Sequence, residues 1–254
     1  MAIEQDIIVA VAARDDSKLC ISNVNSKYES FECDIKNYVI GDIKFKWYKY
    51  ILCGLEGVKE AQSKDSLRGL SLSVSGNVPP SAGLSSSSAL VCASALMTSH
   101  FCRAGHSLHA LAELSAQAER YIGTEGGGMD QAASFLSKAG SAQLIEFNPL
   151  RCTPVQLPEG ALFVVANSLV EKNKAAGSDF NTRVVECRLA CRLMAKKAGI
   201  PMSKNMPLGD LQKTLGKSFS EMVESVKEIL HPQPYSKQEV CQLLNMSVSQ
   251  LEKV

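Results

Sequence analysis

Apolar and polar positions divide the chain into segments with strand-like alternation and segments with helical spacing. Apolar, β-branched runs bounded by polar turns favour strands at residues 3–13, 19–24, 28–33 and 69–75. Apolar residues three and four positions apart favour helices at residues 47–61, 84–102 and 108–121. We therefore predict a mixed sheet, with helices between its strands, in the first part of the chain.

The second part of the chain shows mainly helical spacing. Two more strands are predicted at residues 140–147 and 161–167, followed by helices at 180–197, 208–215, 218–230 and 237–244. A boundary near Gly177 divides the chain into two lobes, residues 1–176 and 177–254. A length of 254 residues with 45% hydrophobic content is enough for two cores of this size. The second lobe is expected to expose apolar surface.

Composition narrows the class of protein. With 27 basic and 26 acidic residues the net charge is +1, so neither nucleic acid nor an anionic membrane is expected as the main partner. No apolar run approaches the roughly 20 residues that a membrane-spanning helix needs. Nine cysteines without a CxxC pair or a leader peptide indicate a reducing compartment, and we expect a cytoplasmic protein.

The segment SGNVPPSAGLSSSSAL, residues 75–90, joins a predicted strand to a predicted helix. Pro79 and Pro80 stiffen it, Gly83 allows a close backbone approach, and Ser85–Ser88 add hydroxyls beside the free N–H groups of a helix N-terminus. These donors and the helix dipole favour an anion such as phosphate. A serine-rich N-cap on an ordinary helix is the alternative. No Gly-Lys-Ser/Thr ending follows, which excludes a Walker-type loop.

The segment AERYIGTEGGGMDQ, residues 118–131, places a glycine-rich turn between two carboxylates. Glu119 lies in the last turn of a predicted helix, and Asp130 follows the glycines. Read alone, Glu119 is a surface carboxylate at the unfavourable end of a helix dipole. Asp130, read alone, is an N-cap for a helix that begins at Gln131.

Together the two segments resemble the superfamily of galactokinase, homoserine kinase, mevalonate kinase and phosphomevalonate kinase, the GHMP kinases. Within this superfamily, the amino-acid sequence of these segments most resembles that of the N-acetylgalactosamine kinases of the galactokinase-like branch. Four further segments resemble the same branch, so the resemblance covers essentially the whole chain. They are MAIEQDIIVAV, FKWYKYILCGL, LIEFNPLR and FNTRVVECRLA. It implies a two-lobed α+β fold: an ATP-binding lobe with a mixed sheet and helices on one face, then an incomplete, mainly helical lobe.

The resemblance also implies roles for individual residues. Asp130 is expected to be catalytic, by taking the proton of the sugar hydroxyl or orienting it, and Ser86 with Glu119 is expected to hold Mg²⁺. ATP phosphates are assigned to Gly83, Ser85, Ser86 and Ser87, the nucleotide base to Trp47, and the sugar to Gly127, Gly128, Asp130, Asn173 and Phe180. The implied cofactors are ATP and Mg²⁺, and the implied partners are small molecules.

Phe180 bears on the choice of sugar. Related galactokinases carry a tyrosine at the matching position, so the phenylalanine removes a polar contact and leaves room for an acetamido group at carbon 2. The expected activity is ATP-dependent phosphorylation of the anomeric hydroxyl of N-acetylgalactosamine, with galactose as the poorer substrate. An aromatic core residue is the alternative role of Phe180.

Two family segments have no match in this chain, GRVNLIGEHxDY upstream and GAGWGGC downstream. We therefore expect a family member truncated at both ends, with impaired turnover because the upstream segment supplies a catalytic arginine. Family members are expected to be monomers, whereas an uncovered sheet edge here favours self-association. A non-catalytic nucleotide- or sugar-binding sensor and an inactive truncated isoform remain alternatives.

Overall fold

The structure, a computed structural model, describes residues 1–62, 68–124, 126–147, 149–166, 168–170, 179–201 and 206–252. Internal contacts divide the chain into two compact units, Met1–Ala176 and Gly177–Val254. The predicted site residues, apart from Asn173 and Phe180, lie in the described part of the first unit. Each unit is described by itself.

The first unit contains a four-stranded mixed sheet in the order β1-β4-β2-β3. Its strands are β1 (Ile7–Ala13), β2 (Lys18–Asn23), β3 (Phe31–Asp34) and β4 (Leu70–Gly76). β2 and β4 run parallel, and the other two pairings are antiparallel. The mixed sheet predicted from the apolar pattern is confirmed, although β1 begins at Ile7 and not at Ile3.

One face of the sheet forms the core because side chains alternate between the two faces of a strand. Leu19 and Ile21 of β2, with alternate residues of β4, are at most 2% exposed on this face. Two helices cover it, α1 (Tyr48–Ala61) and α2 (Ser86–Phe101), through residues such as Leu52 and Met97. The expectation of helices on one face of the sheet is therefore confirmed.

α1 and α2 cross at very short range. A Cβ placed on Gly54 of α1 would lie 2.8 Å from both Ala95 N and Ser94 Cβ of α2, and closer still to the carbonyl oxygen of Val91. The Ser94 hydroxyl donates a hydrogen bond to the Ile51 carbonyl oxygen at 2.6 Å. Small residues on both helices permit this crossing, which sets the position of the α2 N-terminus on the sheet.

The rest of the first unit packs beside these helices. It comprises α3 (Leu108–Ala118), a 3₁₀ turn (Glu119–Ile122), α4 (Met129–Leu136) and a hairpin of β5 (Ser141–Glu146) and β6 (Arg151–Gln156). The strand predicted at 161–167 is wrong for residues 161–166, and Asn167 lies outside the described residues. β6 is the partner of β5 instead, and Leu162 and Val164 are 87% and 82% exposed.

The described residues of the second unit form only helices. They are α5 (Asp179–Lys197), α6 (Leu208–Leu215), α7 (Phe219–Ile229), α8 (Lys237–Leu244) and α9 (Val248–Leu251). Capping boxes that begin at Ser218, Ser236 and Ser247 start the last three. Phe219 on α7 is 81% exposed, so this unit does expose apolar surface as expected.

Candidate active site

The connection between β4 and α2, residues 77–85, which we call the serine loop, has strained backbone where it reaches α2. Ser81, Gly83 and Ser85 have φ values of 56°, 75° and 58°, in the left-handed region that residues other than glycine seldom adopt. Ser85 is the residue before the helix, and no side chain caps the N-terminus of α2. Strain of this kind concentrates at ligand-binding loops, where alternating backbone conformations direct N–H groups towards an anion.

Gly83 leaves the loop open at its centre. A Cβ at this position would have no other heavy atom within 4 Å, so packing against the protein does not demand glycine here. The positive φ does favour glycine, and the open space admits a small group close to the backbone. Ser86 and Ser87 are the first two residues of α2. This combination fits a triphosphate, and the four phosphate-binding assignments stay predictions.

Glu119 belongs to a buried polar cluster, centred on Ser88, that we call the Ser88–Glu119–Gln131 relay. The three side chains are 2%, 6% and 2% exposed. The Ser88 hydroxyl donates a hydrogen bond to Glu119 Oε1 at 2.7 Å, and Gln131 Nε2 donates to Ser88 Oγ at 3.3 Å. The relay connects the first turn of α2, the turn after α3 and the first turn of α4.

Sequence reasoning did not include Ser88 and Gln131 among the site residues. A signal for Ser88 was present, because it falls on the apolar stripe of α2 with Val91, Cys92 and Ala95, all of which are buried. A hydroxyl in such a stripe needs a buried partner. Successive helix residues are rotated by about 100°, so Ser86 lies about 200° away from Ser88 around the axis. Ser88 makes the contact with Glu119, and the pairing of Ser86 with Glu119 as Mg²⁺ ligands stays a prediction.

Asp130 lies in the first turn of α4. The helix begins at Met129 and its N-cap is Gly128, with φ of 93°, so the alternative that made Asp130 the N-cap is wrong. Gly128 is required here, because a Cβ would also lie 3.0 Å from the Ala116 Cβ. The partly buried Asp130 carboxylate therefore sits near the positive end of the helix dipole.

The charges of both carboxylates act on one buried thiol of α2. Burial is the main cause that raises the pKa of Cys92 to about 12, and the charges of Glu119 and Asp130 contribute to the increase. Cys92 lies one turn after Ser88, on the same side of α2. Glu119 and Gln131, the neighbour of Asp130, both form hydrogen bonds with Ser88 on this side of the helix whose N-terminus carries the serine loop.

The buried thiols of Cys53 and Cys92 predict that the folded state loses stability at alkaline pH. Burial raises the pKa of Cys53 and Cys92 from 9.0 to about 12, so the folded state keeps both protons while the unfolded state releases them above pH 9. The stabilisation is complete below pH 9 and falls by about 1.4 kcal/mol per pH unit for each thiol as the pH rises towards 12. Urea unfolding at pH 8, 9 and 10 under reducing conditions, followed by Trp47 fluorescence, measures this slope.

A matched pair of variants isolates the thiol contribution. Cys92→Ala is expected to flatten the decline above pH 9, because it removes one of the buried thiols with a raised pKa that contribute to it. Cys241→Ala, in the second unit, is expected to leave the slope unchanged. Equal slopes for the Cys92 variant and the unaltered chain would contradict the prediction.

The remaining predicted residues occupy separate places. Trp47 precedes α1, donates its indole N–H to the Glu29 carbonyl oxygen at 2.8 Å and packs edge-on against Tyr28 and Tyr48. Gly127 is exposed, with open space around its Cα. Asn173 lies outside the described residues. Phe180 is the second residue of α5 in the second unit and is partly buried.

Protein side chains alone do not make a metal cage in the described part of the chain. No group of three or more His, Cys, Asp or Glu residues there could hold an ion. A buried carboxylate beside serine hydroxyls nevertheless fits Mg²⁺, which takes one or two protein oxygens and completes its shell with water and phosphate. Over the same residues, no helix is both long and apolar enough to cross a membrane.

Comparison with known proteins agrees with this arrangement. The family model described as GHMP kinases N terminal domain matches residues 49–138, which contain the serine loop, Glu119 and Asp130. Over its whole length the chain is similar in structure to Lactococcus lactis galactokinase, crystallised with galactose. The TM-score is 0.71 at 18% identity, over 99% of this chain and 61% of that one. The chain has the GHMP kinase fold and is similar in structure to a galactokinase.

The chain is also similar in sequence to curated proteins that are named galactokinase. It is 40% identical to the galactokinase of Dictyostelium discoideum over 264 residues, covering 99% of this chain and 52% of the relative. It is 32% identical to the galactokinase of Schizosaccharomyces pombe, covering 84% of this chain and 46% of the relative. The chain thus spans about half the length of these relatives. Both are named for galactose and not for its N-acetylated form.

Proposed function

We propose that this galactokinase-like chain belongs to an ATP-dependent sugar kinase that phosphorylates the anomeric hydroxyl of N-acetylgalactosamine, with galactose as a poorer substrate. The observation that carries the proposal is the buried hydrogen bond from the Ser88 hydroxyl to the Glu119 carboxylate. It joins a carboxylate to the first turn of α2, next to the strained loop, and Gln131, the neighbour of Asp130, donates to the same Ser88 hydroxyl oxygen.

Each part of the reaction has a candidate group. The loop N–H groups, with Ser85, Ser86 and Ser87, bind and orient the triphosphate. Ser86 and Glu119 are the residues that would hold Mg²⁺, which neutralises phosphate charge when it is bound. Asp130 accepts the proton of the sugar hydroxyl or orients that hydroxyl for attack on the terminal phosphorus. The resemblance assigns the base to Trp47 and the sugar to Gly127, Gly128, Asn173 and Phe180, and these assignments stay predictions.

Calorimetric titration with Mg-ATP and then with each sugar, together with a coupled assay of ADP release, tests the proposal. Mg-dependent nucleotide binding with sugar-dependent ADP release supports a kinase. Binding of nucleotide and sugar without turnover favours the non-catalytic sensor instead. Failure to bind nucleotide in the presence of Mg²⁺ rejects the assignment of the loop as a phosphate site.

The sugar preference has its own test at Phe180. Phe180→Tyr adds a hydroxyl and takes up space beside carbon 2, so we expect the ratio of N-acetylgalactosamine to galactose use to fall by about 10-fold, the effect of a small steric or polar change in a pocket. The ratio of kcat/KM for the two sugars measures this. Phe135→Tyr, on α4 and also partly buried, controls for a general effect of the added hydroxyl. An unchanged ratio would remove Phe180 from the sugar site.

A further inference from the structure

The position next to Asp130 carries a side chain for which the proposed reaction has no direct use. Gln131 is 2% exposed, and its amide Nε2 donates a hydrogen bond to Ser88 Oγ at 3.3 Å. Burying an amide group lowers the stability of the fold unless its polar atoms form hydrogen bonds. We propose that Gln131 is a positioning residue that fixes the Glu119 carboxylate for Mg-nucleotide binding. This inference rests on the proposed function of the site.

The order of donors in the relay supports this role. A serine hydroxyl has one proton to donate, and here that proton goes to Glu119 Oε1 at 2.7 Å. Because the Gln131 amide approaches Ser88 Oγ as a donor, it occupies an acceptor position of that oxygen and leaves the hydroxyl proton directed at the carboxylate. The 2.7 Å separation of Ser88 Oγ and Glu119 Oε1 is ordinary for a hydroxyl donor, whereas the 3.3 Å separation of Gln131 Nε2 and Ser88 Oγ is long for an amide donor.

The relay engages one oxygen of Glu119 in particular. Oε1 accepts the Ser88 proton inside the helix packing, whereas Oε2 lies 3.8 Å from where a Cβ on Gly126 would stand, at the glycine-rich turn. Fixing Oε1 therefore fixes the rotation of the carboxylate that presents Oε2 to that turn. Partners that orient a metal ligand in this way change metal affinity by about 10- to 100-fold when they are removed.

The relay also connects the two functional carboxylates. Gln131 follows Asp130 in the first turn of α4, and through Ser88 it reaches Glu119 at the end of α3. A displacement of α4 would therefore disturb the hydrogen bond that holds Glu119. Gln131 acts on the reaction only through Ser88, and the readout of its role is the Mg²⁺ dependence of nucleotide binding.

The test compares Gln131→Leu, which keeps the size but removes both amide donors, with Gln117→Leu, an exposed position on α3. Affinity for ADP is measured by calorimetry over a series of Mg²⁺ concentrations and in EDTA. For Gln131→Leu we expect the half-saturating Mg²⁺ concentration to rise about 10-fold, while ADP affinity in EDTA stays unchanged. Gln117→Leu should match the unaltered chain in both conditions.

A double variant tests whether the effect passes through Ser88. Ser88→Ala combined with Gln131→Leu should raise the half-saturating Mg²⁺ concentration no further than the larger single effect, because both act on one hydrogen-bond chain. If Gln131→Leu does not fold, Gln131→Glu replaces it; a second acceptor beside Ser88 competes for the hydroxyl proton, and the same upward shift is expected.

The outcomes separate this inference from the proposed function. An unaltered chain that binds ADP without any Mg²⁺ dependence rejects both the metal site and the relay. An unaltered chain with Mg²⁺ dependence that Gln131→Leu leaves intact overturns the relay alone. An equal loss of affinity in Mg²⁺ and in EDTA also overturns it, because that pattern reports a structural role for Gln131.

Discussion

Replacing Gly54 by alanine is expected to destabilise the first unit by about 3 kcal/mol or more, the upper part of the range for overpacked cores. The added methyl would lie 2.8 Å from Ala95 N and from Ser94 Cβ, and closer to the Val91 carbonyl oxygen. Two of these atoms are backbone atoms of α2, so relief requires the helices to separate. Separation would also break the 2.6 Å bond from Ser94 to the Ile51 carbonyl.

The measurement is urea unfolding followed by the fluorescence of Trp47, the single tryptophan, which reports on the first unit. Gly41→Ala is the matched control, because the same methyl there would meet only the Val39 Cγ1 at 4.0 Å. We expect the control to change stability by less than about 0.5 kcal/mol. Similar unfolding midpoints for the two variants would show that α1 and α2 do not cross as closely as described.

The sheet and its helices were predictable because their apolar periodicity is strong. β4 alternates as LSLSVS and buries Leu70, Leu72 and Val74, and the following loop and helix start where proline, glycine and serine place them. Local sequence thus specifies the strand, loop and helix that position the candidate phosphate site.

The errors occurred where tertiary contacts decide the structure. Residues 161–166 have the apolar, β-branched composition of a strand, but no strand pairs with them within the described residues, and Leu162 stays 87% exposed. β6 was missed for the opposite reason: RCTPVQ contains a proline and little apolar alternation, and pairing with β5 makes it a strand.

The contacts of the Ser88–Glu119–Gln131 relay could not be predicted from the spacing of residues along the sequence. Ser88 and Glu119 are 31 positions apart, and Ser88 and Gln131 are 43 apart, so only the packing of α2 against α3 and α4 brings them together. The sequence did identify the two segments that supply these residues. The resemblance paired Ser86 with Glu119 as Mg²⁺ ligands, which stays a prediction, whereas the hydroxyl that donates to Glu119 is that of Ser88.

The largest effect on function is expected from Asp130→Asn. Asparagine has nearly the same shape but cannot accept a proton, so the rate of sugar phosphorylation should fall by about 100-fold or more, the usual contribution of a general base. The substitution leaves the N-cap of α4 intact, because that residue is Gly128 and not Asp130, and the loss of the carboxylate charge near the helix dipole contributes about 0.3–1 kcal/mol to the structural cost. ATP affinity should not change, since the loop and Glu119 are untouched.

Steady-state ADP release with N-acetylgalactosamine and galactose, alongside calorimetric ATP binding, measures both parts of this expectation. Asp210→Asn is the control: it makes the same substitution in the first turn of α6 in the second unit, where the carboxylate pairs with Lys213 at 3.6 Å. That variant should keep its turnover. If Asp130→Asn also kept its turnover, orientation of the hydroxyl by hydrogen bonding, which an amide can reproduce, would be sufficient and proton transfer to Asp130 would be excluded. If ATP affinity fell together with the rate, Asp130 would belong to the nucleotide site and not to the acceptor site.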